Sequence, residues 1–359
     1  MAVVDFFSGC GGFSLGAHQA GFDVAAAFDI DPILTSSYAK NFPQTKLHRI
    51  DLSLASGQQI RALAGVEIDG IVGGPPCQGF SSIGRRNPED VRRQLLYRYF
   101  LLVAEVRPSF FVMENVLGLL ELGNRPLVDA CLELVRPLYH LTDLMPLNAA
   151  DFGAATTRRR AFLAGIRKGD AKALDEDALT ASSARPANVR AAIGDLQLLR
   201  ELRSSDCFDR WKIASRGRPS RYASGLRSAD GTFTGNLRTQ HTYEVLKRFS
   251  KLQPGEIDRI GRFPRLSWGG LCPTLRAGTG NDRGSYQSVR PVHPEADRVI
   301  TVREAARLQG FPDYHLFHPT IWHSFRMIGN SVSPFVASQV LGRVAAHMPW
   351  LLSTAEAAE

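Results

Sequence analysis

Cys77 stands directly after Gly73-Gly74-Pro75-Pro76 and directly before Gln78-Gly79-Phe80-Ser81. The prolines restrict the backbone and the glycines mark a turn. A lone cysteine is more often a small buried apolar residue than a nucleophile. This one follows a short apolar run and falls in a loop, which takes it out of the core. Its chemistry there would be that of a thiolate, favoured by a positive field or a helix N-terminus. Glu114 ends a second apolar run, Phe110-Phe111-Val112-Met113. It is either a structural hydrogen-bonding group or a polar member of a site. Arg158-Arg159-Arg160 precedes a third run at 161–165. An arginine triplet alone reads as a solvated or phosphate-facing patch.

A glycine-rich loop, Phe7-Ser8-Gly9-Cys10-Gly11-Gly12-Phe13, follows the first apolar run. Its glycines let backbone approach a ligand, and the helix it opens offers free N–H groups. The spacing is neither GxGxxG nor a P-loop. That disfavours a dinucleotide or triphosphate and suits a smaller ligand carrying a carboxylate and a nucleoside. Asp29, with Asp31 nearby, and Asp51 end the next two units. Each is either a cap or turn residue or a ligand group. Together, at successive strand ends, they favour the ligand, with Asp29 toward ribose hydroxyls and Asp51 toward an adenine amino group. The constellation fits an S-adenosylmethionine pocket.

Short apolar runs alternate with helical patterns through the first half. Strands are predicted at 2–7, 24–28, 68–72, 109–113 and 160–166, and helices at 13–20, 32–41, 95–106 and 127–137. This alternation predicts a parallel α/β sheet with helices on both faces. The polar residues above then lie at the carboxyl ends of its strands, where open α/β sheets bind ligands. From about 171 to 298 the alternation fades into a loop-rich region. A helix is predicted at 301–308, with Thr301 as cap, Glu304 at the capping-box position and Gly310 as its stop. A final helix is predicted at 333–347. The expected domains are 1–170 (site-bearing and cofactor-binding), 171–321 (basic) and 322–359, returning to the first.

The chain has 359 residues, 44% hydrophobic and 22% charged, an ordinary globular composition. No apolar run is long enough for a transmembrane helix, and no secretory signal is visible. The five cysteines form no CxxC pair or His/Cys cluster, so no metal is expected. They read as mostly buried, reduced thiols. The net charge is +8, and residues 151–321 carry 29 Lys and Arg against 18 Asp and Glu, an excess of 11. That middle is either a polyanion-binding surface or a solvated basic face.

In sequence and order, Phe7–Ser14, Gly73–Ser81 and Met113-Glu114-Asn115-Val116 resemble the cytosine-C5 DNA methyltransferases. Two later blocks match as well, residues 301–312 and Ile328-Gly329-Asn330-Ser331-Val332-Ser333-Pro334. The resemblance runs from Val4 to about Val340 and leaves only the middle unaligned. It implies a Rossmann-like S-adenosylmethionine-dependent sheet with a smaller target-recognition domain. Cys77 would attack C6 of a cytosine, and Glu114 would hold the base by its N3/N4 edge. Arg158 and Arg160 would lie beside it, Arg160 at O2. Phe7, Gly9, Gly11, Gly12, Asp29, Asp31, Asp51, Leu52, Pro76, Leu95, Asn330 and Val332 would line the cofactor, leaving S-adenosylhomocysteine as product. Asp29 stands where the family usually has Glu. Thr156 stands where its arginine block usually begins with Gln.

The resemblance further implies double-stranded DNA as partner, with the target base flipped out of the helix. Ser81, Arg216, Arg218, Arg221, Thr274 and Arg276 are the candidate DNA contacts, the last two in a Thr-Leu element. A monomeric enzyme of the bacterial cytoplasm or nucleoid is expected, with or without a separate restriction endonuclease. The alternatives are a tRNA cytosine-C5 methyltransferase and a non-catalytic DNA-binding relative.

Overall fold

The computed structural model describes residues 1–76, 91–170, 179–180, 185–214, 217–278 and 290–348. They fall into two compact units. The first comprises 1–148, 159–182 and 336–359, and the second 149–158 and 183–335. These limits differ from those expected at 170 and 321. Residues 149–158 group with the second unit, and 322–335 stay there too.

The first unit runs β1 (Ala2–Phe6), α1 (Gly12–Gln19), β2 (Asp23–Asp29), α2 (Tyr38–Asn41), β3 (Lys46–Arg49), α3 (Gly57–Ala64) and β4 (Gly70–Gly73). It continues through α4 (Val91–Val106), β5 (Phe110–Asn115), α5 (Arg125–Glu133), β6 (Tyr139–Leu141), β7 (Met145–Asn148) and β8 (Arg159–Arg167). The sheet order is β3-β2-β1-β4-β5-β8-β6, with β7 also on β8. The first five strands are parallel, as predicted. β8 corrects that prediction, because it lies antiparallel between β5 and β6. β6 and β7 share its other edge, one opposite residues 165–167 and the other opposite 159–162. The 32–41 segment is a run of turns ending in the single turn α2, not the helix predicted. β3 and α3 fill a stretch the sequence reading left unassigned.

The chain leaves β1 toward β2 and β3, then returns to the other side for β4 and β5. The carboxyl ends of β1 and β4 therefore flank a topological switch point, where such sheets bind ligands. Alternation along β1 serves both layers. Val4 and Phe6 join the apolar cluster that includes Ile60, Leu96, Tyr99 and Phe100 from α3 and α4. Asp5 faces the other way, where Ser14 of α1 donates to it. Tyr99 ties α4 to the sheet, donating to the Val112 carbonyl at 2.9 Å.

The second unit contains α6 (Val189–Ile193), β9 (Leu199–Leu202), β10 (Arg210–Ile213), α7 (Arg221–Leu226) and β11 (Thr232–Phe233). After them come α8 (Tyr243–Phe249), α9 (Val302–Gln309) and α10 (Ile321–Asn330). β9–β11 form a small antiparallel sheet. α11 (Pro334–Ala346) belongs to the first unit from Val336 onward. α9 has the predicted capping box, with Glu304 N donating to Thr301 Oγ1 and Thr301 N to Glu304 Oε2.

All of α9 is buried, its arginines included. Arg303 donates to the carbonyls of Thr234, Pro312 and His315. Arg307 makes a two-pronged pair with Asp313 and reaches Asp195 at 2.6 Å. Planar guanidinium groups suit such multiple acceptors. Arg158 and Arg265 are buried as well. Part of the basic excess of 151–321 is thus internal scaffolding, which corrects its reading as wholly a surface property.

Candidate active site

The loop after β1 is held at several points. Ser8 N donates to the Phe28 carbonyl of β2 at 3.2 Å, and Gly11 N to the Ser8 carbonyl at 2.8 Å. Phe7, Gly9 and Gly11 all have positive φ, 58°, 52° and 86°. For Phe7 this is a strained conformation, of the kind that clusters at ligand sites. Gly11 is required twice over, since a Cβ there would also lie 2.2 Å from the Phe42 ring. Beside Gly9 a Cβ would meet nothing within 4 Å, so the loop opens onto free space. The buried Ser8 Oγ has no hydrogen-bond partner among the described residues.

Asp29 ends β2 and is buried. Its two oxygens accept from Gly9 N and Asp31 N, each at 2.8 Å. Burial pushes this carboxyl above its usual range, and those N–H groups pull it back. Each oxygen keeps a second acceptor direction, so locking the loop does not exclude holding hydroxyls. Asp31 Oδ1 caps the turn by accepting from Ile33 N and Leu34 N. Asp51 Oδ1 accepts from Ser53 N. Both are turn residues in this structure, consistent with the plainer of their two readings. Leu52 is buried, Pro76 and Leu95 half-buried.

Glu114 at the end of β5 is buried, and its Oε1 lies 3.1 Å from Arg160 Nε of β8. Gly74, just past β4, comes close, since a Cβ there would lie 3.4 Å from Glu114 Oε2. Asn115 Nδ2 donates to the Pro75 carbonyl at 3.3 Å, and its Oδ1 accepts from Val116 N. The ends of β4 and β5 are thereby stitched together beside the carboxylate. Cys77, the residue after Pro76 in the chain, lies outside the described residues, as do Ser81 and Arg216.

The remaining expected residues lie in the second unit. Arg158 is buried and donates to the Leu275 carbonyl at 3.3 Å. Thr156 Oγ1 and Thr157 N both donate to the Cys272 carbonyl at 2.9 Å, and Thr274 Oγ1 donates to the Thr157 carbonyl at 3.1 Å. Residues 155–158 and 272–275 are thus cross-linked around the isolated bridge between Thr156 and Cys272. Arg218, Arg221 and Arg276 are exposed. Asn330 is exposed at the end of α10, and Val332 is buried. Buried Gln309 donates to the carbonyls of Ile328 and Ser331. That joins the 301–312 and 328–334 blocks.

Three features escaped the sequence reading. Ile30, directly after Asp29, is 62% exposed, an apolar surface at the carboxyl edge of the sheet. Its signal was an isoleucine between two strand-end carboxylates. Asn115 was visible in Met-Glu-Asn-Val but carried no assigned role. Beneath the loop, Ser14 Oγ links the Asp5 carboxylate to Tyr38 OH, each at 2.6 Å. Burial pushes Asp5 up to about 7 against the two hydrogen bonds from Ser14. Nothing local in the sequence marks that chain of contacts.

The profile of the family described as C-5 cytosine-specific DNA methylase matches residues 1–346. The Type II methyltransferase M.XorII of Xanthomonas oryzae pv. oryzae is 42% identical over 95% of this chain and 84% of its own. M.DdeI of Desulfomicrobium norvegicum is 28% identical over 96% and 88%. An E. coli crystal structure assigned as a prophage-encoded DNA modification methyltransferase superposes with a TM-score of 0.84 at 36% identity. It covers 97% of this chain and 99% of that one. The Dnmt2 methyltransferase of S. pombe, 18% identical over 96% and 98%, shares the fold with a TM-score of 0.64.

Proposed function

Because this chain belongs to the C-5 cytosine-specific DNA methylase family, we propose that it methylates C5 of a cytosine in double-stranded DNA through a transient bond to Cys77. The observation that carries the reading is the buried Glu114–Arg160 pair beside the Asn115-anchored Pro75.

Cytosine C5 is a poor nucleophile until C6 carries a sulfur. The Cys77 thiolate donates a lone pair to C6, and the C5=C6 electrons move through the ring toward N3. Glu114, facing the N3/N4 edge, shares the proton that neutralises this charge, and Arg160 holds that carboxyl and offers its guanidinium to O2. The product of addition is an enamine, nucleophilic at C5. When bound, S-adenosylmethionine supplies an electrophilic methyl group and is left as S-adenosylhomocysteine. Loss of the C5 proton to solvent then re-forms the C5=C6 bond and expels the Cys77 thiolate, while the N3 proton returns to Glu114.

The described residues fit that cofactor. The orphaned Ser8 Oγ and the open space beside Gly9 leave room for a polar ligand. Asp29 suits ribose hydroxyls, Ile30 offers an apolar face for a purine, and Asp51 with Leu52 bounds the same edge. We assign Pro76, Leu95, Asn330 and Val332 to its further lining.

The second unit is assigned target recognition. Ser81, Arg216, Arg218, Arg221, Thr274 and Arg276 meet the duplex around a flipped base. The names of the Type II relatives support a restriction-modification setting. We further take the enzyme to be a monomer of the bacterial cytoplasm that acts apart from any endonuclease. No helix of the described residues is long and apolar enough to cross a membrane.

Transfer of labelled methyl groups to duplex DNA and to tRNA, with Cys77→Ser as control, tests the proposal. Transfer to duplex DNA that Cys77→Ser abolishes is expected. Transfer to tRNA alone overturns the substrate, and transfer surviving Cys77→Ser overturns the mechanism.

A further inference from the structure

Among the described residues, three that are not glycine have positive φ: Phe7, Arg107 and Arg262. Phe7 lies in the loop after β1. Arg107 closes α4, its N–H returning to the Val103 carbonyl, a common way to end a helix. Arg262 ends no helix. It sits at the tip of a hairpin over residues 255–265, where a strained conformation must be imposed by its surroundings.

Those surroundings are well defined. Gly255 N donates to the Arg265 carbonyl and Arg265 N to the Glu256 carbonyl. Ile257 bridges Pro264, and Asp258 N donates to the Phe263 carbonyl. The buried Asp258 carboxylate accepts from both Nε and Nη2 of Arg248 and from Gly261 N at 2.6 Å. Arg262 N returns to the Asp258 carbonyl at 2.8 Å. A Cβ on Gly261 would lie 2.2 Å from the Phe263 ring, so only glycine fits there. Phe263 packs on Phe249, rooting the hairpin in its own small core.

What this rigid base presents is Arg259-Ile260-Gly261-Arg262. Ile260 is 66% exposed and Ile257 58%. Arg259 and Arg262 are exposed and have no acidic partner among the described residues. The hairpin's acids are otherwise engaged, Asp258 by Arg248 and Glu256 by Gln253 N. An aliphatic tip between two unpaired guanidinium groups is a poor solvent-facing surface. It complements a groove walled by phosphates and floored by base edges.

We infer that the 257–262 tip is a DNA-reading element, with Arg259 and Arg262 on backbone phosphates and Ile260 against bases in the groove. The inference rests on the reading of the second unit as the part that recognises DNA.

The probe is a duplex oligonucleotide carrying the site that the wild-type enzyme methylates, located by bisulfite sequencing of host DNA. Arg259→Ala with Arg262→Ala should weaken duplex binding roughly tenfold or more and reduce the salt slope by roughly 2. Thermal midpoint and S-adenosylmethionine binding should not change. Arg262→Gly separates structure from contact: glycine accepts the positive φ, so the thermal midpoint should rise while duplex affinity falls. Ile260→Ala should lower discrimination against singly substituted sites and leave the salt slope alone. Unchanged duplex affinity and salt slope in both arginine variants overturn the inference. Methyl transfer by the wild type runs in parallel: its absence sinks the functional reading, whereas its presence with indifferent variants sinks only the hairpin.

Discussion

Glu114 and Arg160 project from the same face of an antiparallel strand pair, two residues apart in register. Glu114 on β5 lies opposite Phe162 of β8, and Arg160 is two residues from Phe162. Period-two alternation turns both side chains the same way and within diagonal reach, giving the 3.1 Å contact. The antiparallel insertion of β8 is thus what brings this guanidinium to this carboxylate.

Glu114→Gln should lower kcat by about 10²-fold or more, since the shared proton at N3 is lost. The amide keeps the shape of the side chain but not the charge that faces Arg160, so thermal unfolding should shift far less than the rate. Methyl transfer at saturating DNA and a melting curve check both halves. A large stability loss with modest loss of rate would make the residue structural.

Asp5 sets a pH dependence of stability. Its pKa is about 7 in the folded chain against 3.8 unfolded. From about pH 4 to 7 the folded state therefore binds the extra proton, and stability falls as pH rises through that window. Asp29 from β2, Tyr38 from α2 and Tyr99 from α4 couple to Asp5. Asp5→Asn keeps an acceptor for Ser14 and removes the titration. Melting temperatures between pH 5 and 8 should decline less in Asp5→Asn than in wild type; parallel declines would refute the assignment.

Thr156 performs a definite task in the second unit. Thr156→Val removes the hydrogen bond to the Cys272 carbonyl and should cost about 1 kcal/mol. Thr156→Gln must fit a longer side chain into a fully packed position and should cost more, about 1–3 kcal/mol. Urea titrations rank the two, and a glutamine variant as stable as wild type would contradict the packing argument.

Within the second unit, Arg307 and Asp313 are both wholly buried. Asp313→Ala leaves a buried cation short of its main partner and should cost about 3–5 kcal/mol. Denaturant unfolding reads this directly. A loss under 1 kcal/mol would mean that Asp195, 2.6 Å from Arg307, suffices alone.

The strand ends were legible because apolar runs stop abruptly at polar residues, as at Phe28-Asp29 and Met113-Glu114. β3 was not, because Lys46-Leu47-His48-Arg49 is a partly exposed edge strand without an apolar run. β7 contains Pro146, which argues against a strand except at an edge. The arginine triplet shows a further limit. Consecutive in sequence, Arg158 is buried against Leu275, Arg159 is exposed, and Arg160 meets Glu114. The partners are 117 and 46 residues away, and no local pattern encodes them. Composition misled in the same way, since it counted Arg303 and Arg307 with the surface charges.

The first unit is discontinuous in the chain, and that fixes an order of events during synthesis. α1 and α11 meet where Gly16 faces Ala337, with too little space for even a methyl group between them. A ribosome must therefore translate the whole of the second unit before it delivers the helix that covers α1. The nascent unit waits with that face of α1 uncovered while residues 183–335 emerge. Slow translation through that stretch exposes the unfinished unit to proteases and holdase chaperones, although every residue discussed around Glu114 has already been made.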